Sequence, residues 1–259
     1  MNNTRLTFNA STNLTLPLAV YSTLRSDARN HGYIKNGRPN VSGYMNQLIP
    51  VLSDYQDLRH QEVLKYANGD TELTKFAEQC IQNIYLAPFT FSDDSVINVP
   101  FRINKEHYDV FLKIHDVKLS YYNTDFTNYV RNLLSEYASK TECQREYLFA
   151  FKIIESLKTA MENGNLCHFH CIDTNISFIP VSLEISPLTD RYIVFGCSDN
   201  KKGRFVDLAK IKSVITDIKC YHLNKSDCDK LYESLMEYFK DELVENHLIE
   251  CESEESELS

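Results

Sequence analysis

The feature that most constrains the fold is an internal repeat within the first 140 residues. In each copy a short strand, Leu14–Leu16 or Val99–Ile103, precedes two amphipathic helices. The second helices align best, as VSGYMNQLI (Val41–Ile49) and FTNYVRNLL (Phe126–Leu134), with a loop two residues shorter in the second copy. One strand–helix–helix unit cannot cover its own apolar face and leaves its strand unpaired. We therefore predict that the two copies pair their strands and interlock their helices.

Helix boundaries in the repeat follow from glycine, proline and capping residues. Pro17 suits a first helical turn, and Gly32 is predicted to end the first helix. Asn40 is predicted to cap the second helix and Pro50 to kink it, while Asn104 caps the second copy. The predicted apolar stripe comprises Val20, Tyr21, Leu24, Ala28, Val41, Tyr44, Met45, Leu48, Ile49, Tyr108, Phe111 and Leu112.

This arrangement resembles the ribbon-helix-helix fold over roughly residues 10–140. The family is normally an obligate dimer, so the resemblance implies a pseudo-dimer within one chain. It also implies that the outward residues of the paired strands face a DNA major groove. Those residues are Ser11, Asn13 and Thr15 from one copy, and Asn98, Pro100 and Arg102 from the other. One cation and one proline make this a weak set for specific operator binding.

Four strand-like runs follow a helical stretch over 141–162, and a fifth extends from Ile211 to Tyr221. The four are Leu166–Ile172, Ile176–Ile185, Tyr192–Cys197 and Arg204–Leu208, separated by turn signals at Pro187, Asp199-Asn200 and Gly203. So many short strands would expose edges in an open sheet. We therefore predict a closed, small β-barrel of the SH3-like or Sm-like kind.

Residues Ile179–Val214 resemble the WYL domain. The matching positions are Pro180, Leu183, Tyr192-Ile193-Val194, Arg204-Phe205 and Ile211. The chain departs from that family at Arg191, where the name-giving tryptophan is expected, and at Lys210, where an arginine is frequent. Phosphates require cations, and unpaired bases require stacking surfaces. The predicted nucleic-acid-binding residues are therefore Arg191, Tyr192, Lys201, Lys202, Arg204, Lys210 and Lys212. The alternative for the cations is a solvated basic rim, above all for Lys201 and Lys202 in a turn, and the alternative for Tyr192 is a core position.

The resulting fold class is α+β and multi-domain, with a tandem ribbon-helix-helix pseudo-dimer, a helical linker, a WYL β-barrel and a C-terminal helix. The predicted domains are 1–66 (first ribbon-helix-helix unit), 67–97 (connecting helix), 98–140 (second unit), 141–163 (linker helix), 164–222 (WYL barrel), 223–243 (C-terminal helix) and 244–259 (acidic tail). This combination looks like the accessory proteins found beside type VI-D CRISPR effectors, the RNA-guided enzymes that cut RNA. The resemblance implies single-stranded RNA binding that enhances the effector in antiviral defence.

Charge placement agrees with a nucleic-acid partner. The chain carries a formal charge of −9, of which the acids from Glu245 onward contribute −6, whereas residues 1–66 are net +3. Eight cysteines without CxxC spacing, and no apolar signal core or membrane-length stretch, favour a cytoplasmic protein with reduced thiols. In Cys167-His168-Phe169-His170-Cys171 the histidines and cysteines would face opposite sides of a strand, so we expect no metal.

No nucleotide-binding or hydrolase motif is present, so we expect a non-enzymatic protein without cofactors. The C-terminal helix is predicted either to cap the barrel or to form a dimer contact, and we favour a homodimer. The main alternative is a transcription regulator that binds operator DNA through the ribbon and senses a ligand with the WYL domain. A structural adaptor without nucleic-acid binding is a third interpretation.

Overall fold

The computed structural model describes residues 11–67, 69–86, 95–186, 189–198, 202–221, 227, 230–231, 233–237 and 239–240. The chain divides into two compact units, Met1–Phe151 and Lys152–Ser259. The fold is mixed α+β, and all of the described strand pairs are antiparallel. Lys201, the turn signals Pro187 and Asp199-Asn200, and the acidic tail lie outside the described residues.

The first unit contains the two copies of the repeat. The first copy comprises β1 (Ser11–Pro17), α1 (Leu18–Asn30), β2 (Ile34–Lys35), β3 (Arg38–Pro39) and α2 (Val41–Tyr66), followed by α3 (Thr71–Leu86). The second copy comprises β4 (Val96–Arg102), α4 (Tyr108–Lys113), a π-helical turn (Ile114–Lys118), α5 (Leu119–Tyr121) and α6 (Phe126–Ala138), followed by α7 (Glu142–Phe149). Asn104 precedes a short 3-10 turn (Lys105–His107) but its side chain does not cap that turn.

Strands β1 and β4 form a two-stranded antiparallel ribbon, which confirms the predicted strand pairing. Its inward positions are apolar and buried, because alternate residues of a strand face opposite sides. They are Leu14, Leu16, Val99 and Phe101. Asn13 lies opposite Pro100, and each stands eight residues before the tyrosine that the alignment equates, Tyr21 or Tyr108. The antiparallel pairing of the two strands is therefore centred on equivalent positions of the two copies.

Helices α2 and α6 begin in the same way. The Asn40 side chain accepts a hydrogen bond from the Gly43 amide at 3.0 Å, as predicted, and the Asp125 side chain accepts one from the Asn128 amide at 2.8 Å. In the first copy the predicted stripe is buried from Val20 to Ile49, except that Tyr21 is half-buried. Pro50 lies inside α2, which continues to Tyr66.

Buried tyrosines connect each second helix to the other copy. Tyr44 in α2 shares a 2.7 Å hydrogen bond with Tyr137 in α6. Conversely, Tyr129 in α6 donates a 2.7 Å hydrogen bond to Gln56 in α2. Tyr44 and Tyr129 occupy equivalent positions in the aligned segments, so the two copies exchange hydrogen bonds across one shared core.

Equivalent side chains of the two helices also bond the opposite strand. The Asn46 side chain in α2 donates to the Arg102 carbonyl of β4 at 2.8 Å. Arg131, which aligns with Asn46, donates from Nε to the Thr15 carbonyl of β1 at 2.9 Å. Each copy thus satisfies backbone acceptors of the other, as the predicted interlocking requires.

The helix predicted over 141–162 is interrupted. α7 ends at Phe149, and α8 (Phe151–Asn163) begins after Ala150, whose backbone leaves the helical region at φ −89° and ψ 8°. Ala150 is buried, so the break lies in a packed environment. The apolar spacing continues across the break, and for this reason the sequence pattern predicted a single helix.

The second unit contains α8 and a five-stranded antiparallel sheet. Its strands are β5 (Asn165–Cys171), β6 (Asn175–Ile185), β7 (Tyr192–Cys197), β8 (Gly203–Asp207) and β9 (Ile211–Cys220), arranged in the order β8-β7-β6-β5-β9. These bounds agree with the five predicted strands to within one residue at each end. Residues 233–237 are helical, and Leu231 and Leu235 pack against Ile179, Phe195 and Cys197 of the sheet.

The prediction of a closed barrel is wrong. β8 and β9 are the two edges of the sheet, and no ladder joins them in the described part of the chain. A 3-10 turn, Leu208–Lys210, separates the two strands, and β9 pairs with β5 instead. The C-terminal helical residues cover an apolar face of the sheet, so its burial does not require closure.

The sheet nevertheless curls strongly. Five flat strands would place the edges about 19 Å apart, whereas three residues of 3-10 helix span about 6 Å. A register shift between Pro180 and Ser182 adds a local bend in β6. The curl brings the end of β8 close to the start of β9.

Candidate nucleic-acid interface

Two of the predicted cations, Lys202 and Arg204, lie at the beginning of the edge strand β8. Both are exposed, and neither forms an ion pair with a residue that the structure describes. Arg204 pairs with Gly196 of β7, and it shares its face of the sheet with the buried Val206. The alternate residue Phe205 lies on the other face, where Gly203 approaches the C-terminal helical residues. Arg204 therefore projects from the face opposite to that helix.

Glycine is required at position 196, opposite Arg204. A β carbon there would collide with the Ile179 carbonyl oxygen and lie 2.7 Å from the Phe178 ring. The Ile179 backbone and the Phe178 ring therefore occupy the position that a side chain at 196 would take on the face of Arg204.

Arg191, Tyr192 and Lys210 form a second group at the far end of the same strands. The Lys210 ammonium lies 2.9 Å from an Asp207 carboxylate oxygen. The hydrogen bond to Asp207, and then the charge of Asp207, raises the pKa of Lys210, while nearby Arg191 lowers it. Lys210 is therefore charged but locally neutralised, which reduces its attraction for a phosphate. Tyr192 is half-buried at the start of β7.

The predicted residues do not form one cluster. Tyr192 and Gly196, the partner of Arg204, stand four residues apart on β7, which corresponds to about 13 Å. Lys212 is exposed on β9, the opposite edge strand of the sheet. A polyanion that contacted all of these residues would have to follow the curled surface over several nucleotides.

The ribbon presents the predicted polar residues outward. Asn13, Asn98, Pro100 and Arg102 are exposed, and Thr15 donates a 2.8 Å hydrogen bond to the Asn98 side chain. The side chain of Ser11 lies outside the described residues. Among the outward ribbon residues whose side chains the structure describes, Arg102 carries the one charge, as the sequence predicts.

The Cys-His-Phe-His-Cys segment adopts the alternation expected of a strand. His168 contacts Ser177 at 2.8 Å and His170 contacts Asn175 at 3.3 Å, both on β6. Cys167 is buried, and its burial raises the pKa of its thiol. Among the described residues, no three His, Cys, Asp or Glu side chains are grouped as metal ligands.

The first unit contains a partly open cavity of about 170 Å³. Its lining is mainly apolar, with Arg59 and Glu136 forming a 3.5 Å ion pair beside it. None of the predicted nucleic-acid-binding residues lines this cavity, so it is separate from both the ribbon and the basic sheet.

One cationic element, the β2–β3 hairpin, was not predicted from the sequence. Lys35 and Arg38 are exposed on opposite strands of this hairpin. The dipeptide Asn36-Gly37 was the available signal, since it favours a two-residue hairpin turn. In the described part of the chain, no helix is long and apolar enough to span a bilayer.

Neither the protein-family models nor the curated proteins contain a match to this chain. Among solved structures, the chain is similar to one titled "Crystal structure of a CRISPR Cas-related protein". The TM-score is 0.63 at 12% sequence identity, and the match covers 87% of this chain and 67% of that one. Since the first unit ends at Phe151, a match of this extent includes residues of both units, and the two proteins share their fold.

Proposed function

We propose that this protein is a non-enzymatic accessory protein of a CRISPR system. In this proposal it binds single-stranded RNA and enhances a type VI-D effector, an RNA-guided enzyme that cleaves RNA. The observation that carries the proposal is the shared fold with a CRISPR Cas-related protein over 87% of the chain. The proposal further places the protein in the cytoplasm as a homodimer.

The first unit is proposed to be a ribbon-helix-helix pseudo-dimer. The paired β1–β4 ribbon and the reciprocal bonds of Asn46 and Arg131 support this assignment. The family needs two subunits to complete one core, and here both copies contribute to one hydrophobic cluster. The fused arrangement allows the two halves to differ in sequence.

The second unit is proposed to be a WYL-type module that grips the RNA. We expect Lys202 and Arg204 to contact phosphates and Tyr192 to stack on a base. Arg204 should contribute more to RNA affinity than Lys210, because Arg204 has no acidic partner among the described residues whereas Lys210 is paired with Asp207. Arg191, Lys201 and Lys212 are proposed to extend the same path.

RNA binding can be tested by fluorescence anisotropy with a labelled single-stranded oligouridylate at several salt concentrations. The Lys202→Ala/Arg204→Ala variant should weaken binding, whereas Lys210→Ala should have a smaller effect. Lys230→Ala/Lys240→Ala, at exposed positions of the C-terminal helical residues, removes the same charge from the same unit as a matched control. Equal losses in all variants, or no binding by the unmodified protein, would contradict the proposal.

Effector enhancement requires a separate assay. The unmodified protein should increase the rate of RNA cleavage by a purified type VI-D effector, and the Lys202→Ala/Arg204→Ala variant should increase it less. No change in cleavage, in the presence of normal RNA binding, would reject the accessory role and retain the binding role.

The second candidate function is a ligand-responsive regulator that binds operator DNA. The observation that favours it is the outward polar face of the β1–β4 ribbon. Arg102→Ala should then reduce duplex DNA binding more than RNA binding, since this ribbon would enter the major groove. A preference for single-stranded RNA over duplex DNA at the same salt concentration would exclude this candidate.

A further inference from the structure

The β2–β3 hairpin is a rigid projection between α1 and α2. Asn36 and Gly37 both have positive φ, 52° and 72°, which is the geometry of a two-residue type I′ turn. The base of the hairpin is fixed at Tyr33, whose amide donates to the Ala28 carbonyl and whose carbonyl accepts from Asn40, each at 2.7 Å. The hairpin tip is therefore held in place before any ligand binds.

The pairing within the hairpin is electrostatically unfavourable. Lys35 lies directly opposite Arg38, and both are exposed. Like charges at opposite positions of a ladder destabilise it, because their β carbons lie about 5 Å apart. Neither residue forms an ion pair with a residue that the structure describes. Glu106 is an acid near the base of the hairpin. Burial is the main cause of the raised pKa of Tyr33, and the charge of Glu106 raises this pKa further. The Glu106 carboxylate lies 3.4 Å from the His107 ring and does not pair with either cation.

The second copy of the repeat lacks this element. Ten residues separate α1 from α2, whereas four separate α5 from α6, because the helical segment before α6 also extends four residues beyond the position equivalent to the end of α1. The second copy still pairs its strand and packs its helices, so the hairpin is not required by the repeated fold. An exposed and self-repelling pair of cations that the fold does not need indicates a binding role.

We infer that the tip of the β2–β3 hairpin, at Lys35 and Arg38, binds a phosphate group of the RNA backbone. This inference rests on the proposed function and adds a contact on the first unit. The guanidinium of Arg38 can donate two parallel hydrogen bonds to phosphate oxygens, and Lys35 supplies a point charge from the opposite strand. A bound phosphate also removes the repulsion between the two cations.

The expected size of the effect follows from counterion release. Each phosphate contact to single-stranded nucleic acid contributes about 0.7 to the slope of log affinity against log salt. Loss of this one phosphate contact should reduce that slope by about 0.7 and weaken binding roughly fivefold at about 0.1 M salt.

The test compares Lys35→Gln/Arg38→Gln with Lys65→Gln/Lys113→Gln, which removes the same charge from exposed positions of the same unit. Binding of a labelled oligouridylate is measured at several salt concentrations, and circular dichroism checks the fold. We expect a lower slope of log affinity against log salt in Lys35→Gln/Arg38→Gln only. The charge-preserving variant Lys35→Arg/Arg38→Lys should retain binding.

Three outcomes would overturn the inference. Unchanged affinity and slope in Lys35→Gln/Arg38→Gln, with normal binding by the unmodified protein, would reject the hairpin site and leave the proposed function intact. Equal losses in the control variant would show a general charge effect. No RNA binding by the unmodified protein would reject the proposed function together with this site.

Discussion

Replacing Asp27 with asparagine removes an acceptor on which the first unit depends. Asp27 is 3% exposed in α1, and its carboxylate accepts hydrogen bonds from Arg145 at 2.8 and 3.3 Å. It also accepts a 2.8 Å hydrogen bond from Tyr137, which in turn contacts Tyr44. The network therefore joins α1 and α2 of the first copy to α6 of the second and to α7.

The expected loss of stability follows from the positive charge that remains on Arg145. Asp27→Asn keeps the size of the side chain but removes the carboxylate that is hydrogen-bonded to the largely buried Arg145 guanidinium and leaves only the weaker attraction of Glu142. Breaking a buried ion pair by removing one partner costs about 3–5 kcal/mol. For a unit of this size the expected decrease in Tm is about 6–20 °C, at about 2–4 °C for each kcal/mol.

The assay is thermal unfolding followed by far-ultraviolet circular dichroism and calorimetry, because the chain contains no tryptophan. Arg145→Met in the Asp27→Leu background is the control, since it replaces both charges with apolar groups and should recover most of the loss. A loss below about 1 kcal/mol in Asp27→Asn would refute the reasoning, because it would mean that Arg145 is readily rehydrated.

Two further predictions concern other buried sites. Gly196→Ala should destabilise the second unit by several kcal/mol, because the added carbon collides with the Ile179 carbonyl; calorimetry should show a lower second-unit transition, and a normal one would contradict the clash. Burial raises the pKa of Tyr44 and of Tyr137 well above 10, so the stability that depends on their protonated forms is present below pH 10 and is lost at higher pH. In an absorbance titration of tyrosinate these two phenols should ionise only as the protein unfolds, and Tyr44→Phe should reduce the amplitude of that late step alone.

Local periodicity predicted most of the secondary structure. The strand bounds in the second unit and the buried stripe of α2 follow directly from alternation and from helical spacing. The cap at Asn40 was also predictable, because it depends on a side chain and an amide three residues apart. The pairing of β1 with β4 followed from the repeat, since neither strand could remain unpaired.

Features that depend on contacts distant in sequence were not predictable. Closure of the barrel depends on whether β8 meets β9, and the turn Leu208–Lys210 together with the covering helix decides that question. The ion pair between Lys210 and Asp207 was also not predicted, although the two residues are only three positions apart. The sequence pattern assigned Arg204 and Lys210 equal weight, whereas in the structure Lys210 is paired with Asp207 and Arg204 has no acidic partner among the described residues.

The fused repeat allows the two halves to meet nucleic acid differently, and Asp125 offers a test of this asymmetry. Asp125 caps α6 at the position that Asn40 holds in α2, so a carboxylate stands at one helix N-terminus and a neutral amide at the other. Asparagine caps a helix about as well as aspartate, so Asp125→Asn should preserve the fold while removing one charge that repels a phosphate.

If the RNA passes both helix N-termini, Asp125→Asn should strengthen binding by up to about fivefold at about 0.1 M salt, the contribution of one charge in the counterion relation. The same substitution should strengthen binding of a symmetric duplex even more, because it makes the two half-sites alike. Unchanged affinity for both ligands would mean that only the first copy faces the nucleic acid. That result would fit the presence of the β2–β3 hairpin in the first copy, and it would favour an unpaired strand over a two-fold symmetric operator as the ligand of this chain.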